Sequence, residues 1–277
     1  MELGRVGIWW SGSWTDDDAA EMEELGYGAL WSTGGFKPGL SGLFEKLLAA
    51  TDHVVVASGI VSVWVGGVDD VTSAVAGMEE RYPGRFLLGL GASHGAVVQD
   101  YRRPYSQVVG YLDEMDAHEP TVPKDRRVLA ALKPKMLELA AARSLGAHPY
   151  FVPVEHTALA RETLGPGPLL APEVTVVLET DPSVAREKAR SFTTGYLALP
   201  NYAGNLRTLG FSEEDVSGGG SDRLVDAIVA WGSVDAIAGR VREHHDAGAD
   251  HVCIQVIADR GGFPAEAYRE LAGALLG

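Results

Sequence analysis

The sequence predicts an α/β protein, a (β/α)8 barrel of the TIM type in which the 277 residues form one domain. Short apolar runs alternate with segments of helical periodicity, which is typical of parallel strands joined by right-handed crossovers. Eight such runs are present, and about 250 residues is the usual length for eight βα units. The runs are apolar throughout, as expected for strands that are covered on both faces.

Each predicted strand is a short run rich in β-branched or apolar residues. In chain order the strands are Val6–Trp10, Gly28–Ser32, His53–Val61, Arg85–Leu90, Arg127–Leu132, Ala147–Val152, Val174–Thr180 and His251–Ala258. The first helix is expected directly after Thr15, whose side chain can cap it, and three aspartates then favour the positive end of its dipole. The other helices are expected near Leu43–Ala50, Val71–Arg81, Tyr105–Ala117, Pro134–Leu145, Glu155–Leu164, Val184–Arg190 and Ala265–Leu276.

The segment from Asp181 to Asp250 departs from this regular alternation. It contains several helical pieces and a break at Gly218-Gly219-Gly220, and we predict no strand within it. We therefore expect a helical insertion, about residues 181–250, between strands 7 and 8. The sequence shows no internal repeat and no linker that would divide the chain into two domains.

The charge balance excludes several classes of partner. The chain carries 38 acidic and 23 basic side chains, for a net charge of −15. Nucleic acid and anionic membranes would be repelled by such a surface. A hydrophobic content of 46 % is also too high for a mainly disordered chain. The expected partner is a small organic molecule.

Cysteine usage and the N-terminal sequence predict a cytoplasmic protein. The single cysteine, Cys253, lies in an apolar strand, where we expect a core residue, and a lone cysteine fits a reducing compartment. No basic stretch followed by an apolar one begins the sequence, so we expect no signal peptide. No Cys/His cluster indicates a metal site. The adjacent His244 and His245 would point in different directions on a helix, and we expect them to be solvated.

Residues just past the C-terminal ends of the strands form the site in a barrel of this type. That rule selects Ser11, Thr33, Gly59 with Ile60, Ser93 with His94, Lys133, the Val152–Thr157 turn, Glu179 and Gln255. His94 is the strongest chemical candidate, because an imidazole can exchange a proton near neutral pH. The alternative is a loop histidine that only bonds to backbone.

Two further turns and the tryptophans suggest a bound ligand. The segment from Gly89 to Gly95 approaches a GxGxxG fingerprint, but His94 takes the third glycine position, so we expect a flat ligand near the backbone rather than a Rossmann phosphate loop. The helix start at Val152–Thr157 could hold a phosphate, with ordinary capping as the alternative. Tryptophans near the ends of the first strands, Trp9 and Trp64 among them, would line a pocket for a large planar or apolar ligand.

Seven strings spread along the chain resemble a known family. They are RVGIW at 5–9, PGRFLLGLGASH at 83–94, AALKPKMLELAA at 130–141, GAHPYFV at 146–152, LPNYAGNLRTLGF at 199–211, GSDRLVDAIVAWG at 220–232 and AGADHVCIQV at 247–256. They are similar to the luciferase-like oxidoreductases, and within them to the actinobacterial branch that uses the deazaflavin coenzyme F420. The resemblance implies a TIM barrel with an insertion before the last strand, a homodimer, and a flavin or deazaflavin in the barrel mouth.

The resemblance also implies roles for particular residues. A non-proline cis peptide at Gly59-Ile60, at the end of strand 3, would support the ring of the cofactor. Cofactor contacts are expected at Gly59, Ile60, Ser62, Gly91, Ser93 and His94, and phosphate contacts at Val152, Pro153, His156 and Thr157. Trp9, Trp64, Asn201 and Asn205 would shape the substrate side.

One position departs from the family. Relatives often carry an acidic residue or a histidine just after strand 2, where this chain has Ser32-Thr33-Gly34-Gly35-Phe36-Lys37. His94 then becomes the expected proton donor or acceptor of the site.

The expected function is hydride transfer between F420 and an organic substrate at the C-terminal mouth of the barrel. An FMN-dependent monooxygenase is one alternative, because a chain of net charge −15 offers few basic contacts for the polyglutamate tail of F420. A catalytically silent barrel that binds a flavin, or nothing, is another, because the acid or histidine after strand 2 is missing.

Overall fold

The computed structural model describes residues 1–33, 41–96, 98–258 and 262–277. Its strands are β1 Val6–Trp10, β2 Ala29–Ser32, β3 Val55–Ser58, β4 Val61–Ser62, β5 Phe86–Gly91, β6 Arg127–Leu129, β7 Gly146–Ala147, β8 Leu169–Leu170, β9 Glu173–Val177, β10 Val229–Trp231 and β11 Val252–Val256. Its α-helices are α1 Asp16–Glu24, α2 Ser41–Ala49, α3 Val68–Arg81, α4 Pro104–Ala117, α5 Pro134–Arg143, α6 Val154–Leu164, α7 Pro182–Leu197, α8 Pro200–Thr208, α9 Asp222–Ile228, α10 Val234–Asp246 and α11 Ala265–Leu276.

The strands form a parallel barrel, which confirms the predicted fold class. The order is β11, β1, β2, β3, β5, β6, β7, β8, with each neighbouring pair parallel. The segment 169–177 closes the ring, since its first half, β8, pairs with β7 and its second half, β9, pairs with β11. Because β8 and β9 are two halves of one segment and β4 continues β3, the ring has eight strands. Each of them overlaps a predicted run, but β8, the part that pairs with β7, lies before the predicted run Val174–Thr180.

The barrel interior is closely packed and contains two buried side chains with hydrogen-bonding rings, Trp31 and His251. Trp31 of β2 is fully buried, and its indole Nε1–H donates to His251 Nε2 over 3.1 Å. His251 Nδ1–H in turn donates to the Gly4 carbonyl over 2.9 Å. Cys253 is also fully buried, as predicted, and burial raises the pKa of its thiol. These residues fill the barrel beneath the ends of the strands, so any ligand must bind above them.

The insertion between β9 and β11 contains a strand, and our prediction of none there is wrong. Helix α9 ends at Ile228, and Val229 then adopts an extended conformation that places β10 parallel to β9. The apolar residues from Asp222 to Trp231 fit helical spacing throughout, so the sequence pattern does not reveal the change from helix to strand. Pairing of Val229–Trp231 with Thr175–Val177 of β9 ends the helix there.

The structure confirms the expected cap of the first helix. Thr15 caps α1: its Oγ1 accepts from the Asp18 N–H over 3.0 Å, and Asp18 Oδ2 accepts from the Thr15 N–H over 3.0 Å. This is the reciprocal capping box. Within the described part of the chain, no helix is long and apolar enough to cross a membrane.

Candidate active site

A cavity of about 600 Å³ opens at the C-terminal ends of the barrel strands. Its wall comes from strand ends β1 to β7, from the start of helices α4 and α5, and from α7 and α8 of the insertion. The lining residues are Trp9, Thr33, Gly59, Ile60, Ser62, Ala92, Ser93, His94, Tyr101, Pro104, Tyr105, Ala130, Ala131, Leu132, Lys133, Met136, His148, Tyr150, Tyr196, Leu199, Asn201 and Tyr202. The volume lies in the range of small-molecule and cofactor sites.

The charge of this wall differs from that of the molecule. None of the described lining residues carries a carboxylate, although the chain has 38 of them. Lys133, directly before α5, is the single fixed positive charge among those residues. The described wall therefore carries no carboxylate that would repel an anion.

His94 lies on this wall in a defined protonation state. Its Nδ1 lies 3.1 Å from Oδ1 of Asn201, on helix α8. An amide oxygen only accepts, so His94 Nδ1 carries the proton and Nε2 keeps its lone pair. Burial lowers the pKa of His94, against the smaller opposing effect of this hydrogen bond. His94 is thus a neutral base whose Nε2 is not engaged by any described residue.

The loop that carries His94 is held by two aromatic side chains. The Trp64 indole Nε1–H donates to the Ala92 carbonyl over 2.7 Å, and the Tyr101 hydroxyl donates to the Ser93 carbonyl over 3.3 Å. Ser93 itself has a φ of 57°, in the left-handed region. The loop therefore turns sharply after β5 and directs the His94 ring toward the cavity.

His148 is a second imidazole on the wall, and the sequence analysis did not single it out. Its ring stacks on Trp31 with centroids 4.3 Å apart, and its Nδ1–H donates to the Ala171 carbonyl over 2.7 Å. Burial lowers its pKa to about 4. The remaining atom, Nε2, is buried and has no hydrogen-bond partner. The alternation of polar side chains at 148 and 150 just past β7 was the available signal, since such residues share a face.

Trp9 and Gly59 lie beside His148 at the base of the cavity. The Trp9 Nε1–H is also buried without a partner. A Cβ on Gly59 would lie 2.4 Å from Trp9 Nε1 and 3.3 Å from His148 Nε2, so this donor and this acceptor converge on one point. The Gly59–Ile60 peptide bond is cis, as the sequence analysis expected. Two unsatisfied buried polar atoms are costly, at about 1–3 kcal/mol each, unless a bound group satisfies them.

Tyrosine hydroxyls form the insertion side of the cavity. The Tyr150 hydroxyl donates to Gln255 Oε1 over 2.7 Å and lies 2.9 Å from the Tyr196 hydroxyl of α7. Tyr202 of α8 packs edge-on against Phe151, with centroids 5.4 Å apart. This aromatic cluster fixes α7 and α8 against the barrel, and none of its tyrosines was predicted. Their positions depend on how the insertion folds back, which strand-end reasoning does not reach.

Nine of the predicted site residues line the cavity: Trp9, Thr33, Gly59, Ile60, Ser62, Ser93, His94, Lys133 and Asn201. Their ligand contacts stay predictions.

The predicted phosphate turn lies outside the cavity lining. Val152 and Pro153 are buried outside the lining. His156 is fully buried, with Nε2 2.7 Å from the Leu132 carbonyl, and Thr157 is fully buried, with Oγ1 2.8 Å from His244 Nδ1. Both side chains are bonded within the protein, and the phosphate contact at this turn stays a prediction.

Packing places three further predicted residues outside the cavity lining. Gly91 does not line the cavity, because its Cα packs against Ile60, where a Cβ would come within 3.1 Å. Trp64 supports the His94 loop instead of lining the substrate side. Asn205 is buried one turn beyond Asn201 on α8, about 6 Å along the axis, and so misses the cavity. His244 is 1 % exposed, which contradicts its predicted solvation.

Thr33 after β2 lines the cavity, whereas Gly34 to Lys37, where the family pattern changes, lie outside the described residues. Among the residues the structure describes, no group of three or more His, Cys, Asp or Glu could hold a metal ion.

The model of the luciferase-like monooxygenase family matches residues 111–251 of this chain. No curated protein sequence matches.

Three solved structures share the fold over nearly their whole length. An F420-dependent secondary alcohol dehydrogenase in complex with an F420-acetone adduct superposes with a TM-score of 0.76 at 13 % identity, covering 99 % of both chains. The F420-dependent tetrahydromethanopterin reductase of Methanopyrus kandleri gives 0.68 at 14 %, over 99 % of this chain and 98 % of that one. The FMN-bound oxygenating constituent of 3,6-diketocamphane monooxygenase from Pseudomonas putida gives 0.68 at 13 %, over 98 % and 96 %.

Proposed function

This chain belongs to the luciferase-like monooxygenase family of oxidoreductases, and from that membership we propose that it uses coenzyme F420 to transfer a hydride to or from an organic substrate bound at the C-terminal mouth of the barrel. Two of the structurally similar proteins, an alcohol dehydrogenase and a pterin reductase, are F420-dependent. The resemblance of the sequence strings to the F420 branch favours the same cofactor.

The observation that carries the proposal is the absence of carboxylates from the described wall of the cavity. Both F420 and FMN bear a phosphate, and an acidic wall would repel it. Lys133 supplies a positive charge at the cavity rim, directly before α5. The net charge of −15 therefore does not oppose an anionic cofactor at the place where it would bind.

The residues present also suit a planar heterocycle. The unpartnered Trp9 Nε1–H donor and His148 Nε2 acceptor at the base of the cavity would satisfy a ring edge that carries both an acceptor and a donor. Gly59 and Ile60 would support one face of the ring, and Ser62 and Ser93 would flank it. F420 supplies a hydride-carrying carbon when bound.

The rest of the chemistry falls to the protein. His94 Nε2 has the lone pair that would take a hydroxyl proton from a substrate, or return it in the opposite direction. Tyr196 and Asn201, from the insertion, would hold the substrate over the cofactor. The insertion helices also keep bulk water from the reacting centre, which strengthens these polar contacts.

Binding of F420 and FMN to the purified protein tests the cofactor. Each is titrated while fluorescence quenching and anisotropy are recorded, with wild type, Lys133→Met and, as a control on the exposed outer surface of α5, Lys135→Met. We expect saturable F420 binding that is weakened about two- to fivefold by Lys133→Met and unchanged by Lys135→Met, because Lys133 is exposed and a solvent-exposed charge pair contributes about 0.2–1 kcal/mol.

Tight FMN binding without F420 binding would show instead an FMN-dependent monooxygenase, as in the FMN-bound structural relative. Binding of neither cofactor would support a catalytically silent barrel and remove the proposal.

A further inference from the structure

We infer that Asn201, a residue of the insertion, positions His94 by fixing its tautomer. The insertion thus determines which nitrogen of this general base is free to react. The inference rests on the proposed function for its catalytic consequence, but the tautomer and the pKa are properties of the protein alone. Its basis is the 3.1 Å contact between His94 Nδ1 and Asn201 Oδ1, 107 residues apart in sequence.

This contact decides which nitrogen can react. Neutral imidazole carries one proton, on either Nδ1 or Nε2, and in solution both forms are present. The Asn201 amide oxygen can only accept, so the bond selects the Nδ1–H form and leaves Nε2 free. The acceptor that makes this choice is the side chain at position 201.

Both partners are held by other contacts, which makes the selection firm. The loop of His94 is fixed by the Trp64 and Tyr101 hydrogen bonds to Ala92 and Ser93. Asn201 lies in the first turn of α8 next to Tyr202, which is buried against Phe151 and also packs on the His94 ring, with centroids 5.1 Å apart. The bond therefore joins two independently fixed elements, one from the barrel and one from the insertion.

Few other groups influence the charge of His94. The titratable groups that share the cavity with it are Lys133, His148 and the phenols of Tyr101, Tyr105, Tyr150, Tyr196 and Tyr202. No carboxylate is present among the described lining residues, and His148 is kept neutral by burial. A carboxylate placed at position 201 would thus be the nearest negative charge to His94, and its effect would be easy to read.

The test measures His94 directly by NMR on the protein without cofactor. Histidine 15N chemical shifts distinguish the two tautomers, and assignment comes from a His94→Gln variant. Wild type should show the Nδ1–H form. Asn201→Ala should show a mixture of tautomers. Asn201→Asp should raise the pKa of His94 by about 1–3 units, because an opposite charge favours the imidazolium.

The matched control is Thr208→Asp, which adds the same charge to an exposed position of α8, about 10 Å further along the helix. It should leave the His94 pKa within about 0.3 units of wild type, because solvent screens the added charge at that range. In the active enzyme, Asn201→Ala should lower kcat about 10- to 100-fold with little change in KM, and Asn201→Asp should move the acid limb of the kcat profile upward with the pKa.

An Nε2–H tautomer in wild type would overturn the inference, and this outcome does not depend on the folding of any Asn201 variant. An unshifted His94 pKa in a folded Asn201→Asp protein would also overturn it. Failure to bind F420 or FMN would leave both NMR results unaffected, so failure of the proposed function and failure of this inference are distinguishable.

Discussion

His94 is held by contacts from both the barrel and the insertion. Its loop is tied down by Trp64 and Tyr101, its Nδ1–H is taken by Asn201, and its Nε2 faces the cavity. The chemistry available to such a residue is proton acceptance, because burial lowers its pKa below 6.5 and keeps it neutral. His148, also neutral, lines the base of the cavity and is stacked on Trp31, which suits ligand binding rather than proton transfer.

Replacing His94 with glutamine should lower turnover by about 10²- to 10⁴-fold at every pH from 5 to 9, the usual contribution of a general base. In wild type, the acid limb of the oxidation profile should lie below pH 6.5, since the base stays unprotonated down to its lowered pKa. Steady-state kinetics over this range is the measurement. The control is His118→Gln, a partly exposed histidine at the end of α4. Full turnover in the His94 variant would contradict a proton role.

At this scale the sequence predicts positions better than contacts. The strand-end rule locates Gly59, Ser93 and His94 because strand C-termini must surround one mouth. It cannot say which side chains point inward, so it misses His148 and selects His156, which is buried against the Leu132 carbonyl. Whether a histidine faces a cavity or a neighbouring carbonyl is decided by helix rotation, which depends on packing across the whole barrel.

Among the elements, α1 gives the most direct link from sequence to structure. Three aspartates follow Thr15, and the structure shows the reciprocal capping box that these residues permit. The insertion is the opposite case, since helix α9 passes into β10 within one apolar run. Local sequence predicts an element when capping residues mark its start, and fails when tertiary pairing with a strand such as β9 ends it.

Removing the cap of α1 should have a small and local effect. Thr15→Ala should lower the free energy of unfolding by about 1 kcal/mol, because the Asp18 N–H loses its acceptor at the helix start. Urea denaturation measures the change, and hydrogen exchange should show faster opening in the first turn of α1. Thr15→Ser keeps the acceptor and should stay within about 0.3 kcal/mol of wild type. Equal loss in both variants would show that the methyl group, not the bond, stabilises this turn.

At the scale of the whole molecule, the charge of the chain differs from the charge of the cavity wall. The chain as a whole has a net charge of −15, whereas the described wall of the cavity has no carboxylate and one lysine. Six of the eight histidines have pKa values lowered by burial. Composition predicts the first environment but not the second, because a total does not reveal where the charges are excluded.

These buried histidines should make the protein less stable in mild acid. Burial lowers the pKa of His148 and His251 to about 4 and that of His244 to about 3, whereas the unfolded chain takes up these protons near pH 6.5. Between pH 6.5 and 4 the unfolded state binds more protons, so stability falls as pH falls, by about 1.4 kcal/mol per pH unit for each group. Glu173, whose pKa burial raises to about 7, acts in the opposite direction but is one group against several.

Urea unfolding at pH 7.5, 6.0 and 5.0 measures this dependence. The free energy of unfolding should be highest at pH 7.5 and lowest at pH 5.0. A flat or rising dependence toward pH 5.0 would mean that the histidines become charged without unfolding.

The pairing of β1 with β11 has a consequence for how the protein is made in the cell. Val6 pairs with Val252, so the first strand to leave the ribosome waits for almost the entire chain before its second neighbour exists. During translation one edge of β1 is open to other nascent chains, since an unpaired strand is a template for association. The large sequence separation also makes ring closure a slow, late event. We expect synthesis of this barrel to depend on chaperones that shield β1 until residues 252–256 have emerged.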